Sequence, residues 1–286
     1  MKNKNVSFLG YLLLAGILFV SCESDDENTT EANDVPSAEV VTFSQYQDAQ
    51  SATDEIDGVV GDVFGQVSGT NKDASSDKIT DCVEVTSTTE EDLVNIMIDY
   101  GEACELPNGD IVSGVINVSY DTSIADEIEI VYGLENYTYN DIKISGEATA
   151  VYDFENENGN ISYSSNSNLD FEWSDGLTAS GVTASSSETV FENSDDTFSI
   201  YSLITGNSST DFSNGDIYTT EITTPLRTEL RCVYIVSGVL VETENAETLT
   251  TDYGDGECDD VATQTDGNGN VTTIDLDDID ENDEVG

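Results

Sequence analysis

Ala148-Thr149-Ala150-Val151-Tyr152-Asp153-Phe154-Glu155-Asn156-Glu157-Asn158-Gly159-Asn160-Ile161-Ser162-Tyr163-Ser164-Ser165-Asn166-Ser167-Asn168-Leu169-Asp170-Phe171-Glu172-Trp173 is the stretch that decides the fold. Ile161, Tyr163, Leu169, Phe171 and Trp173 alternate with Ser162, Ser164, Asn166, Asn168, Asp170 and Glu172. A period of two is a β-strand with one buried face. Before it, Ala148, Ala150, Tyr152 and Phe154 share one face against Thr149, Asp153 and Glu155. Asn158-Gly159 between them suits a two-residue type I′ turn, whose central residues both need positive φ. That turn predicts Phe154 opposite Tyr163 and Ala148 opposite Leu169, a register in which the apolar faces agree.

Working outward, the same grammar recurs. Val112, Gly114, Ile116, Val118 and Tyr120 alternate, as do Ile128, Ile130 and Tyr132. Asn108-Gly109, Asp175-Gly176, Asn214-Gly215 and Asp266-Gly267 are further hairpin signals. Residues 230–241 are apolar at both parities, which predicts a central strand covered on both sides. About eleven to thirteen antiparallel strands are expected. Upstream, Val40, Phe43, Tyr46, Ala49, Ala52, Ile56, Val59, Val60, Val63 and Phe64 fall mostly three and four apart. That spacing predicts one helix over about 44–66, weakened toward its end by Gly58, Gly61 and Gly65. Residues 68–78 read as a loop. The expected fold is mainly β: a large antiparallel sheet, either a sandwich or a curved half-barrel, with one N-terminal helix packed on it. One domain is expected over 39–276, followed by an acidic tail over 277–286.

The 286 residues carry 7 Lys+Arg against 60 Asp+Glu and no His, for a net charge of −53. So few cations leave no basic stripe for phosphates, which excludes a nucleic-acid partner. Without histidine there is no Ser-His-Asp triad and no imidazole metal ligand. No GxGxxG or P-loop pattern occurs. The acidity keeps an exposed protein soluble at some cost in self-repulsion.

The first residues are addressed rather than folded. Lys2 and Lys4 precede an apolar run over 8–20, too short for a comfortable membrane span and proportioned like a signal-peptide core. Its end, Phe19-Val20-Ser21-Cys22, resembles a bacterial lipobox, in which the cysteine sulfur takes a diacylglycerol and the chain is cut before it. Residues 1–21 are then the lipoprotein signal peptide, and 22–38 an acidic tether. The run Glu23-Ser24-Asp25-Asp26-Glu27 resembles the surface-export signal of Bacteroidota-type lipoproteins. An outer-membrane lipoprotein facing the cell exterior follows from those two resemblances. Its membrane contact runs through the acyl chains, because so acidic a body is repelled by anionic lipid.

Cys82, Cys104, Cys232 and Cys258 remain, and four cysteines allow three pairings. Cys82 is followed by Asp99-Tyr100-Gly101-Glu102-Ala103-Cys104, and Cys232 by Asp252-Tyr253-Gly254-Asp255-Gly256-Glu257-Cys258. The repeated Asp-Tyr-Gly pattern selects Cys82–Cys104 and Cys232–Cys258. Each closes a loop worth roughly 3 kcal/mol in the chain-entropy model. Neither pair has the close spacing of a zinc or redox site.

These pieces and others resemble a group of uncharacterised Bacteroidota-type, especially flavobacterial, lipoproteins. The resemblance is carried by Asp99-Tyr100-Gly101 with Cys104, Asn108-Gly109 before Ser113-Gly114-Val115-Ile116, and Asn140-Asp141-Ile142-Lys143-Ile144-Ser145-Gly146. Thr223-Thr224-Pro225-Leu226, Leu230-Arg231-Cys232 with Ile235-Val236-Ser237-Gly238, and Asp252 to Ala262 complete it. It spans roughly 40–275 and implies an N-terminal helix before a large antiparallel β structure. It implies no activity.

Three constellations bear on chemistry. Asp252, Asp255, Glu257 and Asp259 crowd around Cys258 and are the candidate ligands for Ca²⁺, a hard ion that takes oxygen donors. The preferred reading is a disulfide-pinned turn whose Asp and Gly serve turn geometry. Asp266-Gly267-Asn268-Gly269-Asn270 begins like an EF-hand loop, but Val271 stands where that loop needs Gly. Asp280, Asn282 and Glu284 are weaker metal candidates. Asp170, Glu172 and Asp175 flank Trp173 as the carboxylates of a glycoside hydrolase would, but alternation sets Asp170 and Glu172 on the face opposite the ring. Tyr46, Tyr100, Tyr120, Tyr132, Tyr152, Tyr163 and Tyr253 could stack sugars, and most fall at core parity. Lys143 and Arg231 are expected to neutralise nearby carboxylates. The expectation is a lipid-anchored, non-catalytic binding or structural protein with an unknown surface or glycan partner. The alternatives are a Ca²⁺-dependent glycan- or protein-binding module and a carrier of an apolar ligand.

Overall fold

In the computed structural model, residues 38–67, 80–123, 127–194 and 197–276 are described. Cys22, the signal peptide, most of the tether, the whole 68–78 loop and the acidic tail with Asp280, Asn282 and Glu284 lie outside them. A single helix, α1 (Ala38–Val67), precedes every strand. The strands are β1 (Glu84–Glu90), β2 (Leu93–Asp99), β3 (Cys104–Glu105), β4 (Ile111–Asp121), β5 (Glu127–Tyr139), β6 (Ile142–Asp153) and β7 (Ile161–Glu172). After them come β8 (Thr178–Ser194), β9 (Thr197–Phe212), β10 (Ile217–Glu229), β11 (Ile235–Glu244), β12 (Glu247–Asp255), β13 (Val261–Asp266) and β14 (Val271–Asp275). They form one open antiparallel sheet in chain order, with the two-residue β3 pairing off the path onto β4. The expected large antiparallel sheet with one N-terminal helix is thus present, as a single open sheet rather than the sandwich alternative, with fourteen strands among the described residues.

Alternation assigns the two faces. Ile96 and Ile98 on β2, Ile116 and Val118 on β4, Ile130 and Tyr132 on β5, Ala148 and Ala150 on β6, and Leu169 and Phe171 on β7 are all buried on the inner face. α1 lies on that face. Its Ala52, Ile56 and Val59 are fully buried in the same core cluster, so its side chains cover this part of the inner face. Burial of each large aliphatic side chain there contributes roughly 1.5–3 kcal/mol. Phe64 stacks on Tyr152 at 5.2 Å and meets Tyr120 edge-on at 5.1 Å, while Tyr46 stacks on Tyr218 at 4.5 Å. The helix thus spans from β10 at one end to β4 and β6 at the other. It begins six residues before the predicted 44–66, at Ala38, and it persists to Val67 because the packing of Val59, Val60, Val63 and Phe64 outweighs the low helix propensity of its glycines.

Five turns share one construction. Leu106, Asn156, Trp173, Phe212 and Asp266 each accept, through the backbone carbonyl, the N–H of the glycine three residues on. Those glycines, 109, 159, 176, 215 and 269, all have positive φ. Each turn is closed by a second bond to the carbonyl one residue past the glycine. This is a three-residue loop with a glycine bulge, in which the Asn or Asp before the glycine keeps negative φ. The expected two-residue turn at Asn158-Gly159 is therefore corrected. Tyr152, not Phe154, lies opposite Tyr163, and Ala148 lies opposite Ser167. The shift is two residues, so the faces survive and Phe154 is left 40% exposed beyond the strand. The hairpin with both central φ positive is Asn140-Asp141.

The expected central strand over 230–241 is also corrected. β10 ends at Glu229 and β11 starts at Ile235, with a turn between that carries Cys232 and leaves Val233 90% exposed. Neighbouring β10 is broken by bulges around Thr224 and Pro225, where a residue without an N–H fits a ladder interruption. Gly238 faces this kink: a Cβ there would lie 2.5 Å from the Pro225 carbonyl oxygen. Leu226, Leu240, Tyr253 and Ala262 form a second, smaller core on the inner face, apart from the α1 core.

Candidate functional site

The Asp-Tyr-Gly pattern becomes two corners that open with the same contacts, although β2 ends at Asp99 and β12 runs on to Asp255. In the first, Asp99 pairs with Val115, the Asp99 carboxylate accepts the Gly101 N–H at 2.8 Å, and Gly114 bulges opposite. In the second, Asp252 pairs with Val239, Asp252 accepts the Gly254 N–H at 3.0 Å, and Gly238 bulges opposite. Each tyrosine turns inward and each following cysteine closes a disulfide. Cys82 joins Cys104 with Cα atoms 5.6 Å apart, and Cys232 joins Cys258 at 5.8 Å.

At the second corner β12 and β13 pair from Leu249 opposite Asp266 to Asp252 opposite Thr263, and no further. Beyond that point lies a pocket of about 240 Å³ lined by Asp252, Tyr253, Asp255, Glu257, Asp259 and Ala262 among others. All four candidate Ca²⁺ ligands therefore share one cavity. Two of them are already engaged in turn geometry, Asp252 with Gly254 and Asp259 with the Val261 N–H at 3.1 Å. Among the described residues no three His, Cys, Asp or Glu side chains converge as a metal-holding group.

Behind Tyr253 sits Glu242, at the inward parity of β11 between Leu240 and Glu244. It is half-buried, and burial pushes its carboxyl up to about 7. Burial and the nearby Glu242 raise the Tyr253 phenol to about 12. Along α1, Asp57 accepts a hydrogen bond from the Tyr132 hydroxyl. Burial raises the Asp57 carboxyl above the ordinary range, and this bond opposes the rise. Glu242 and Asp57 were not singled out from the sequence. The signal for Glu242 was there: an acid at core parity in a strand that begins Ile235-Val236-Ser237-Gly238-Val239-Leu240.

The other candidates lie apart. Trp173 is 7% exposed and packs with Phe171 and Phe212. Asp170 and Glu172 point the other way: Asp170 accepts from the Ser180 hydroxyl and Glu172 pairs with Lys143 at 2.7 Å. Asp175 accepts from the Gln45 amide of α1 at 3.0 Å. Tyr46, Tyr100, Tyr120, Tyr132 and Tyr253 are buried, and Tyr152 and Tyr163 are half-buried. Arg231 lies in the β10–β11 turn. Asp266 is occupied by its own turn, accepting the Asn268 and Asn270 N–H groups and the Asn270 amide, which hold its carboxyl below the ordinary range. Glu188 ties the β6–β7 turn to β8 by accepting the side-chain amides of Asn156, Asn158 and Asn160 at 2.9–3.0 Å.

Comparison with family models, curated proteins and solved structures returns no match. No helix among the described residues is long and apolar enough to cross a membrane.

Proposed function

We propose that this chain is a lipid-anchored cell-envelope protein, held by acyl chains on Cys22 and exposed on the outer face of the outer membrane. Its role is non-catalytic binding or structural support. The supporting observation is the inner face covered by α1. With Ala52, Ile56 and Val59 of α1 fully buried against the sheet, the accessible chemistry is the outer face and the second disulfide-pinned corner. A carrier of an apolar ligand would need α1 to leave that seat. The resemblance to Bacteroidota-type lipoproteins rests on the motifs quoted above, and the acidic run behind Cys22 supports the outward address. Protease shaving of intact cells tests the address: the 79–276 domain is lost while a periplasmic control survives. Protection until the outer membrane is lysed places the domain in the periplasm and ends the surface reading. Replacing Cys22 with Ala should abolish acyl labelling.

A second reading, a Ca²⁺-dependent glycan- or protein-binding module, is favoured by one observation: Asp252, Asp255, Glu257 and Asp259 line the same pocket. It predicts a melting temperature that rises with Ca²⁺ and falls again with chelator. A flat response removes it.

A further inference from the structure

The charged residues of α1 are Glu39, Asp48, Asp54, Glu55, Asp57 and Asp62, with no base among them. The surface that receives it is acidic as well. Glu55 is buried near Tyr100, Tyr137 and Tyr139, and the exposed Asp48 lies near Asp110; burial and that like charge raise the Asp48 carboxyl. Asp110 already accepts the Tyr139 hydroxyl. Asp57 meets Tyr132 on β5, with Tyr152 on β6 and Tyr163 on β7 close enough for their phenols to feel its charge. On the far side Glu242 of β11 faces Tyr46 of α1 and Tyr253 of β12. Beside it Glu244 accepts the Tyr218 hydroxyl of β10, and Ser208 of β9 bonds the Tyr46 phenol. Asp54 of α1 adds a further negative charge near Tyr46. The described cations are turned to other work. Lys143 pairs with Glu172, Arg227 pairs with Glu229 and lies over the Tyr201 ring, and Arg231 sits in a turn.

A carboxylate half-buried between helix and sheet, with no facing cation among the described residues, has two ways to lower its energy: bind a proton, or leave its seat. We propose that α1 is a proton-dependent cover of the sheet's inner face: Asp57 and Glu242 hold it as neutral acids, and their ionisation loosens it from the sheet. Tyr132 is the positioning residue for Asp57. The raised acidity constants of the two carboxyls agree in sign with this arrangement. Stability linked to a raised carboxyl is present at low pH and is lost as pH climbs toward the folded-state value, here between the ordinary carboxylate range and about 7.

The test is amide hydrogen exchange on the mature chain from pH 5 to pH 8, corrected for intrinsic exchange. Amides of α1 are compared with those of β5–β7 in the same sample. The expected result is an α1 opening constant that rises by up to about tenfold per pH unit for each proton released, while the sheet amides hold. Asp57→Asn and Glu242→Gln together should flatten that slope, and Tyr132→Phe should alter it without changing net charge at these pH values. One molar salt should leave most of the slope, because screening acts on exposed rather than buried charge. An α1 protection that tracks the sheet at every pH overturns the proposal. So does a double variant with the wild-type slope, or a slope abolished by salt, which would assign the effect to surface repulsion. If the double variant loses sheet protection as well, Tyr132→Phe alone decides.

Discussion

The two disulfide corners start from the same local instructions and end in different surroundings. Both place Asp opposite the Val of a Ser-Gly-Val bulge, both bond that Asp to a glycine N–H, and both bury the tyrosine. The first lies in the α1 core: Tyr100 and Cys104 are each 1% exposed, and Tyr100 meets Tyr137 edge-on at 5.9 Å. The second lies beyond α1, in a four-residue core, and opens into a pocket ringed by four acids. Local geometry was inherited from the motif, while burial and accessibility were set by where the helix lies. A repeated motif is thus a structural device first, and any binding role belongs to the copy whose neighbours leave it open.

Several measurements would break or sharpen that contrast. Tyr100→Ala should cost about 3–5 kcal/mol by chemical denaturation, as aromatic truncations in a closed core do, and Tyr253→Ala distinctly less. Equal losses would erase the difference between the corners. Opening either disulfide by paired Cys→Ala substitution should cost roughly 3 kcal/mol, since the bridged separations of 22 and 26 residues are similar. The damage should spread differently: hydrogen exchange should rise through the α1 core when Cys82–Cys104 is opened, and stay within β11–β14 when Cys232–Cys258 is opened. Gly114→Ala and Gly238→Ala test whether the backbones really match. An added Cβ would come within 2.3 Å of the Asn136 oxygen in one and 2.5 Å of the Pro225 oxygen in the other, both at positive φ. Each should cost about 1–3 kcal/mol or more, and by a similar amount. Stability should fall by about 1.4 kcal/mol per pH unit between pH 4.5 and about 7 through Glu242 alone, and Glu242→Gln should remove that share. The smallest effect is expected from Tyr100→Phe. The Tyr100 hydroxyl is buried without a hydrogen-bond partner, so its loss should be neutral or slightly stabilising.

The faces of the sheet were legible because alternation depends only on parity. A two-residue register error at the β6–β7 hairpin left Ala148, Ala150, Tyr152 and Tyr163 on the correct side. Register itself was not legible at Asn158-Gly159, since the same dipeptide serves a two-residue turn or the last half of a four-residue one. The choice lies in Asn156, whose side chain accepts the N–H groups of both Asn158 and Asn160. Residues 230–241 misled for a related reason. Leu230 and Val233 are apolar yet exposed, because the disulfide through Cys232 holds the turn that composition alone would have straightened. The cysteine pairing was readable from the repeated Asp-Tyr-Gly pattern. The pocket was not, because it arises where β12 and β13 stop pairing, and no local residue pattern marks that point.

The strand order has a consequence for how the molecule comes into being. Every strand on the sheet's path pairs with its near neighbour in the chain, so each hairpin can close soon after its second strand is made. Such local pairing keeps contact order low for a β protein and favours quick, zipper-like growth. The helix is the exception. It is made first, yet Tyr46 finds Tyr218 only after the chain has run on to β10. Assembly therefore ends where synthesis begins: the oldest segment of the domain waits, largely unsupported, and its docking is the step that joins the near and far strands into one cooperative unit.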